Sequence, residues 1–334
     1  MGLQIGEIIS RRAIKLQDLK GKTIAVDAYN AIFQFLSSIR QGDGTPLMDS
    51  QGRVTSHLSG LFYRNISLMS EGIKLIYVFD GKSHELKSKT KEKRREARDL
   101  AQEKYEKAII KGDFVEAGKY AKQSVRFEKG TIEESMELLK AMGIAVVQAP
   151  SEGEMQCAEL VKTRQAYAVG SQDYDSLVVG GNLIQNLTLA KKRKTNGGVV
   201  DVNPELIEYE RVLNDLDIDS DQFICLAILV GTDFNSGGVK GLGPKKALAL
   251  VRDKKYPVAI FKEVEEKLDF NWQEVFEIFK RPNVEKMKIE FPKMNEDKIK
   301  EILVERHDFS EERVEKQLEK LRLGKGKASQ KTLF

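Results

Sequence analysis

Short apolar runs alternate with amphipathic stretches along the first two hundred residues. Residues 23–26, 75–79, 144–148 and 167–169 read as buried strands, and 183–187 fits the same pattern. Helical periodicity lies between them, for example over 130–142 and 155–164. Strands that alternate with helices predict an α/β fold: a central, mostly parallel sheet with helices on both faces. Residues 202–256 read as helical throughout. Residues 259–323 add further charged helices, and from Gly324 the run GKGKASQKTLF reads as a flexible tail. The 334 residues fit either two units of ~150 residues or one large α/β unit with insertions.

Acids stand where the predicted strands end. Asp27 follows the first run and Asp80 the second. Glu152 and Glu154 follow the third, in APSEGE, and Asp173 and Asp175 follow the fourth, in GSQDYDSLVVG. Asp233, in VGTDF, closes a separate apolar run. Ligands of open α/β sheets bind beyond the carboxyl ends of the strands, so parallel strands would bring these side chains to one edge. Each acid also has a plainer reading. Ser151 and Glu154 have capping-box spacing, Asp173 or Asp175 fits an Asx turn, and Asp27, Asp80 and Asp233 fit inert strand-end or turn positions. Those readings do not predict acids at every strand end. Carboxylates so close raise each other's pKa unless a cation compensates. An all-oxygen set without His or Cys favours Mg²⁺, with Mn²⁺ as a substitute, over zinc. The number of acids points to two ions ~3.5–4 Å apart, the arrangement used for in-line phosphoryl displacement. On a continuing strand, Asp173 and Asp175 would face opposite ways. Both can serve only if the strand ends first and they lie in a loop.

Charge distribution adds a partner. The net charge of +4 says little, but residues 82–130 hold fifteen Lys or Arg against nine Asp or Glu, a net +6 that leaves about −2 for the rest. The segment reads as a solvated helix or a disordered loop. Yet Lys87, Lys91, Arg94 and Arg98 fall on one face of a helix, and Glu92, Glu96, Asp99 and Glu103 fall on another. A basic stripe of that kind offers itself to phosphates. Two cysteines and three scattered histidines argue against a disulfide framework or a zinc site. The longest apolar run is too short to span a membrane, which with the missing signal peptide predicts an intracellular protein, cytoplasmic or nuclear.

The segment GVKGLGPKKALALV (238–251) places Gly241 and Gly243 before a helical pattern that begins with Lys245 and Lys246. Glycines allow close backbone approach, and a helix start offers free N–H groups to phosphate. Lysines in a first turn oppose the helix dipole, so an anion accounts for them better. The plainer reading is a helical hairpin turn, and a dinucleotide loop would need a preceding strand. The pattern is that of a helix-hairpin-helix, which grips duplex backbone.

Taken together, VDAYNAIFQFL, SHLSGLFYR, YVFDGK, APSEGEMQCAEL, SQDYDSL, LVGTDFN and GVKGLGPKKA resemble the flap endonucleases, structure-specific 5′ nucleases of the XPG-like superfamily, and look most like an archaeal member. The likeness runs from MGLQIGEII to about Leu323. It implies an N-terminal nuclease region (1–98), a helical arch (99–130, within the basic insertion 82–130), an internal nuclease region with the helix-hairpin-helix (131–258), a helical C-terminal region (259–323) and a tail (324–334). It implies metal carboxylates at Asp27, Asp80, Glu152, Glu154, Asp173, Asp175 and Asp233, and a phosphate-orienting pair at Lys87 and Arg94. DNA contacts are implied at Gly2, Phe33, Arg40, Arg64, Glu152, Gly231 and Asp233, beside Gly241, Gly243, Lys245 and Lys246. Phe33 stands where many relatives carry a stacking Tyr. Gly238 replaces a Ser in a loop that relatives use for a monovalent cation. Gln330, Leu333 and Phe334 have part of the spacing of a sliding-clamp motif, whose later aromatics are missing.

The resulting expectation is a monomeric, Mg²⁺-dependent enzyme that cuts branched DNA at the base of a 5′ flap, with 5′–3′ exonuclease activity, in replication and repair. Two rivals remain. An aspartyl-nucleophile phosphatase would use Asp173 of SQDYDSL but would want a Gly-Thr turn after it, and it leaves the other acids unexplained. A non-catalytic DNA-junction binder would keep the acids for stability alone.

Overall fold

Side-chain alternation decides how the sheet sits. In the computed structural model, which describes residues 2–41, 44–189, 192–195 and 198–330, Ile24 and Val26 of one strand face one core while Ala25 faces another. The chain begins with a short strand β1 (Arg12–Ala13), then β2 (Thr23–Asp27), helices α1 (Ala28–Ser38) and α2 (Ser56–Ser70), and strand β3 (Lys74–Phe79). Two long helices follow, α3 (Ser88–Ile110) and α4 (Phe114–Gln123). The alternation then resumes with α5 (Thr131–Ala141), β4 (Ala145–Gln148), α6 (Gly153–Lys162), β5 (Ala168–Gly170), α7 (Asp175–Val178) and β6 (Leu183–Gln185). A hairpin of β7 (Lys192–Thr195) and β8 (Gly198–Asp201) leads to β9 (Glu205–Ile207). Helices follow, with non-helical stretches at 231–243 and 281–295: α8 (Tyr209–Leu216), α9 (Ser220–Val230), α10 (Pro244–Lys254), α11 (Pro257–Lys262), α12 (Trp272–Lys280), α13 (Glu296–Lys300) and α14 (Glu311–Gln330).

The main sheet has the order β1-β9-β6-β5-β2-β3-β4. Five neighbouring strands, β6-β5-β2-β3-β4, pair in parallel, as the apolar runs predict, and β9 and β1 close one side antiparallel. Helices α6, α7, α9, α10 and α12 cover one face through residues such as Cys157, Leu177, Phe223 and Phe279. Helices α1, α2, α5 and α14 cover the other through Phe35, Phe62, Leu138 and Leu318. Because the central strands are parallel, their carboxyl ends share one edge, and the acids that follow them share it too.

Two expectations are corrected, and one element had drawn none. Residues 202–256 are not all helical, because Glu205–Ile207 adds to the edge beside β6. Three residues are too few to show a period of two, so only their partner strand reveals them. The hairpin of β7 and β8 carries no apolar signal that sequence could register. From Gly324 the backbone continues as helix to Gln330 instead of loosening, because extending an established helix costs less than nucleating one.

The basic segment 82–130 forms an antiparallel helix pair, α3 against α4. It has few large apolar residues, and its contact surface is built from small buried ones, Ala101, Ala108, Ala117 and Ala121. The pair leans back on the body where Gly118 meets Gly44; a Cβ at Gly44 would lie 3.0 Å from the Gly118 Cα.

The C-terminal region is fixed by a buried polar cluster. His307 Nδ1 lies 2.9 Å from Asp49 Oδ2, and its Nε2 lies 3.2 Å from Glu134 Oε1. His57, 2% exposed, packs beside them with neither ring nitrogen hydrogen-bonded. Burial, then the neighbouring His307, pushes the His57 imidazole down to about 4. His57 is therefore neutral in the folded protein, while the unfolded chain takes up its proton near pH 6.5. Its contribution to stability is complete above the unfolded value and is lost as pH falls towards 4, by roughly 3 kcal/mol. The carboxylates also titrate in this window, so His57 is read as a difference: we expect the stability of the parent relative to His57→Leu in denaturant to fall between pH 7 and pH 4.5. A difference that does not change with pH would assign no acid sensitivity to His57.

Candidate active site

The site begins with strand ends that become helix starts. Asp27 is the last residue of β2 and caps α1, its Oδ1 accepting from the Asn30 amide at 3.1 Å. Asp80 follows β3 and reaches across to α6, where the Gly153 amide donates to its Oδ1 at 2.7 Å. Asp175 opens α7. Three helix N-termini thus face the acids, and their partial positive charge offsets part of the carboxylate repulsion. Strand β5 ends at Gly170, before the Asp173-Asp175 pair, as convergence requires. Asp173 lies in the loop, whereas Asp175 belongs to the first turn of a helix and not to that loop.

The Ser151–Glu154 capping box does not form. Glu152 occupies the cap position of α6 without a side-chain bond, and Ser151 Oγ donates instead to the Lys82 carbonyl at 3.2 Å. Glu154 is free to turn towards Lys87. Lys87 Nζ lies 2.5 Å from Glu152 Oε2, 3.4 Å from Glu154 Oε1 and 3.9 Å from Asp233 Oδ2. Arg94 Nη2 lies 2.5 Å from Asp233 Oδ1, and Thr90 Oγ1 donates to the Asp233 carbonyl at 2.9 Å. Lys87 also sits 4.8 Å over the Phe234 ring. Lys87 precedes α3, and Thr90 and Arg94 lie on it, so the base of the helix pair is bolted to the carboxylates.

Electrostatics record the crowding. Burial, then the charge of Asp80, pushes Asp27 up to about 8. Burial, then Asp233 and Asp173, pushes Asp175 up to about 7. Burial raises Asp80, with Glu152 adding to it, and raises Asp173, with Asp233 adding to it. Glu154 is raised well above the carboxylate range by burial, against the pull of Lys87. Burial lowers Lys87, but Glu154 and Glu152 outweigh it and hold the ammonium charged. All seven predicted acids therefore belong to one cluster.

Among the described residues, no three carboxylate, imidazole or thiol groups stand together in a metal-holding arrangement. The cations of Lys87 and Arg94 occupy the space between the acids. The donor set nevertheless suits a hard divalent cation. It is all oxygen, and two buried oxygens, Glu152 Oε1 and Asp175 Oδ1, have no hydrogen-bond partner. An uncompensated buried carboxylate oxygen is costly, and a cation is the ligand that would satisfy it.

The other predicted residues are spread around this cluster. Gly2 lies against Asp173, and a Cβ there would stand 2.5 Å from Oδ1. Phe33 projects from α1 and is 39% exposed. Arg40 follows α1 and donates to the carbonyls of Ser37 (3.3 Å) and Gly44 (2.8 Å). Arg64, on α2, donates through Nε at 2.9 Å and through Nη2 to the Leu187 carbonyl, so it pins the loop after β6. Gly231, with φ at +110°, ends α9 and packs against Gly237 and Gly238. Gly241 and Gly243 lead into α10, Gly243 at its cap, and Lys245 and Lys246 stand exposed in its first turn. Leu333 and Phe334 lie outside the described residues, and Gln330 ends α14.

Sequence reading missed Asn30, Thr90 and Phe234. Asn30 Nδ2 donates to Asp173 Oδ2 at 2.9 Å, and its Oδ1 accepts from the Gln172 amide at 3.2 Å. Its one legible sign is its position three residues after Asp27, where a capped amide belongs. Thr90 and Phe234 leave no sign in the chain, since their roles depend on the start of α3 meeting the loop that follows α9.

This fold and cluster define a nuclease of the XPG class. Residues 2–101 match the XPG N-terminal domain and residues 143–233 match the XPG I-region. The chain is 50% identical to Flap endonuclease 1 of Thermococcus onnurineus, over all of this chain and 98% of that protein. It is 51% identical to Flap endonuclease 1 of Pyrococcus furiosus, with the same coverage. The solved flap endonuclease-1 from Methanococcus jannaschii is 41% identical and superposes with a TM-score of 0.76, over 96% of this chain and 98% of that one. The chain belongs to the flap endonuclease family.

Buried like charges make the metal-free site unstable by design. With Asp27 raised in the folded state, stability falls as pH rises from the unfolded value of about 3.8 towards 8. Asp27→Asn keeps the oxygen that accepts from the Asn30 amide and removes the charge. In chelator at pH 7 it should be more stable than the parent by ~2 kcal/mol, and the gain should shrink towards pH 4. Thermal unfolding at the two pH values checks this; a destabilised Asp27→Asn at pH 7 contradicts it.

Proposed function

We propose that this chain hydrolyses the phosphodiester at the base of a 5′ single-stranded flap in branched DNA. One observation carries the reading. A part-buried cluster of seven carboxylates, with two unpartnered oxygens, faces a lysine and an arginine delivered by a basic helix.

Asp27, Asp80, Glu152, Glu154, Asp173, Asp175 and Asp233 would hold two Mg²⁺ ions, or Mn²⁺ in their place. Bound there, the ions supply the Lewis-acid charge for the attacking and leaving oxygens of an in-line displacement. Everything else falls to the chain. Lys87 and Arg94 pair with carboxylates when no phosphate is present, and a phosphodiester offers them the same oxygen geometry. They would orient the scissile phosphate and neutralise it. Phe33, exposed on α1, would stack on a base beside it. The turn at Gly241 and Gly243, the free amides of α10 and the exposed Lys245 and Lys246 would hold duplex backbone without reading its sequence. The loop from Asp233 to Gly241 is the candidate place for a monovalent cation, with Gly238 standing where relatives carry a Ser. The remaining polyanion contact falls to the basic helix pair, past which the 5′ strand would run. Gln330 and Leu333 are the basis for a sliding-clamp contact by the tail. The role proposed for these contacts is in DNA replication and repair.

The decisive experiment uses an end-labelled 5′-flap duplex with Mg²⁺ or with chelator, and the variant Asp173→Ala. We expect cutting near the flap junction that needs Mg²⁺ and is reduced at least ~10³-fold in the variant, while flap binding is largely kept. Cutting that survives chelator or Asp173→Ala would sink the two-metal reading. Loss of binding in place of cutting would favour a junction binder.

A further inference from the structure

We infer that Asn30 is a positioning residue that joins the two halves of the carboxylate site and sets its affinity for divalent cations; the inference rests on the metal reading above. The acids come from sequence segments more than a hundred residues apart, Asp27 from the end of β2 and Asp173 from the loop after β5. Asn30 touches both. Its backbone amide donates to Asp27 Oδ1 at 3.1 Å. Its side-chain Nδ2 donates to Asp173 Oδ2 at 2.9 Å, and its Oδ1 accepts from the Gln172 amide at 3.2 Å. One amide group therefore satisfies a carboxylate and a main-chain donor at once, a pairing that neither an aliphatic nor an acidic side chain can copy.

Two features give this contact a direction. With Oδ2 engaged by Asn30, Asp173 keeps Oδ1 turned to the other side, against Gly2, where even a Cβ would not fit. Asn30 thus fixes how the Asp173 carboxylate is turned. The loop is also held from behind, where Gln185 Nε2 donates to the Gln172 carbonyl at 2.8 Å and the Asp173 amide donates to Ser171 Oγ at 3.2 Å. Those bonds fix the main chain of the loop. Asn30 alone among them reaches a carboxylate. Groups that orient metal ligands in this way typically alter affinity or activity 10–100-fold when removed.

The test uses Asn30→Leu, close in size without either hydrogen bond, and Asn30→Ala in case the leucine is not tolerated. Mn²⁺ binding to the DNA-free protein is measured by calorimetry, beside metal-free thermal unfolding, flap binding in chelator and the Mg²⁺ dependence of cutting. We expect Mn²⁺ affinity to fall ~10-fold or more, and the Mg²⁺ needed for half-maximal cutting to rise in step. Unfolding temperature and chelator-state flap binding should stay close to the parent, and excess Mg²⁺ should restore most of the rate. Unchanged Mn²⁺ affinity in either soluble variant overturns the proposal. So does weaker binding that merely tracks a lost unfolding temperature, since that is a structural role. A parent protein that binds no Mn²⁺ takes down the metal reading itself, and this proposal with it.

Discussion

Crowded negative charge at one edge of a buried sheet is the constraint around which this molecule is arranged. Parallel pairing of five short strands brings their carboxyl ends together, and the chain places an acid after nearly every one. Left alone, such a cluster repels itself apart or protonates. Two compensations hold it. Helices α1, α6 and α7 start at the cluster and turn their positive ends towards it. Lys87 and Arg94 then insert full charges among Glu152, Glu154 and Asp233.

The second compensation couples the cluster to a distant part of the molecule. The pair of α3 and α4 has little apolar surface of its own, and alanine packing alone would hold it loosely. Its base is fixed by Lys87, Thr90 and Arg94, and its return helix meets the turn after α1 at Gly118 and Gly44. A ligand that engages Lys87 and Arg94, or that satisfies the carboxylates, therefore changes the anchorage of the helices nearby. On the proposed reading, phosphate recognition and the position of the helix pair would share the same ion pairs.

Much of this was legible in the chain. Apolar runs marked the five parallel strands because strands buried on both faces need continuous apolar sequence. The recurrence of acids after them marked the site, and the helical spacing of Lys87 and Arg94 marked the face that meets it. What stayed hidden depends on neighbours. Glu205–Ile207 is a strand because β6 leaves an edge beside it. Ser151 and Glu154 have the letters of a capping box, but Lys87 draws Glu154 away and Lys82 offers Ser151 a carbonyl. Arg64, implied by the resemblance as a DNA contact, donates to the Leu187 carbonyl, a partner that no local pattern reports.

By itself, then, the sequence determined the layered α/β plan, the identity of the acids and the basic character of the inserted helices, because each follows from local periodicity and residue type. Tertiary structure decided which of those charges meet. Whether Lys87 faces Glu152 or water, whether Asn30 touches one acid or bridges two, and how the Asp173 carboxylate is turned all depend on segments 65 or more residues apart in the chain. A hydrogen bond or close ion pair needs its partners within about 3–4 Å, and no pattern along a single chain reports distances that short.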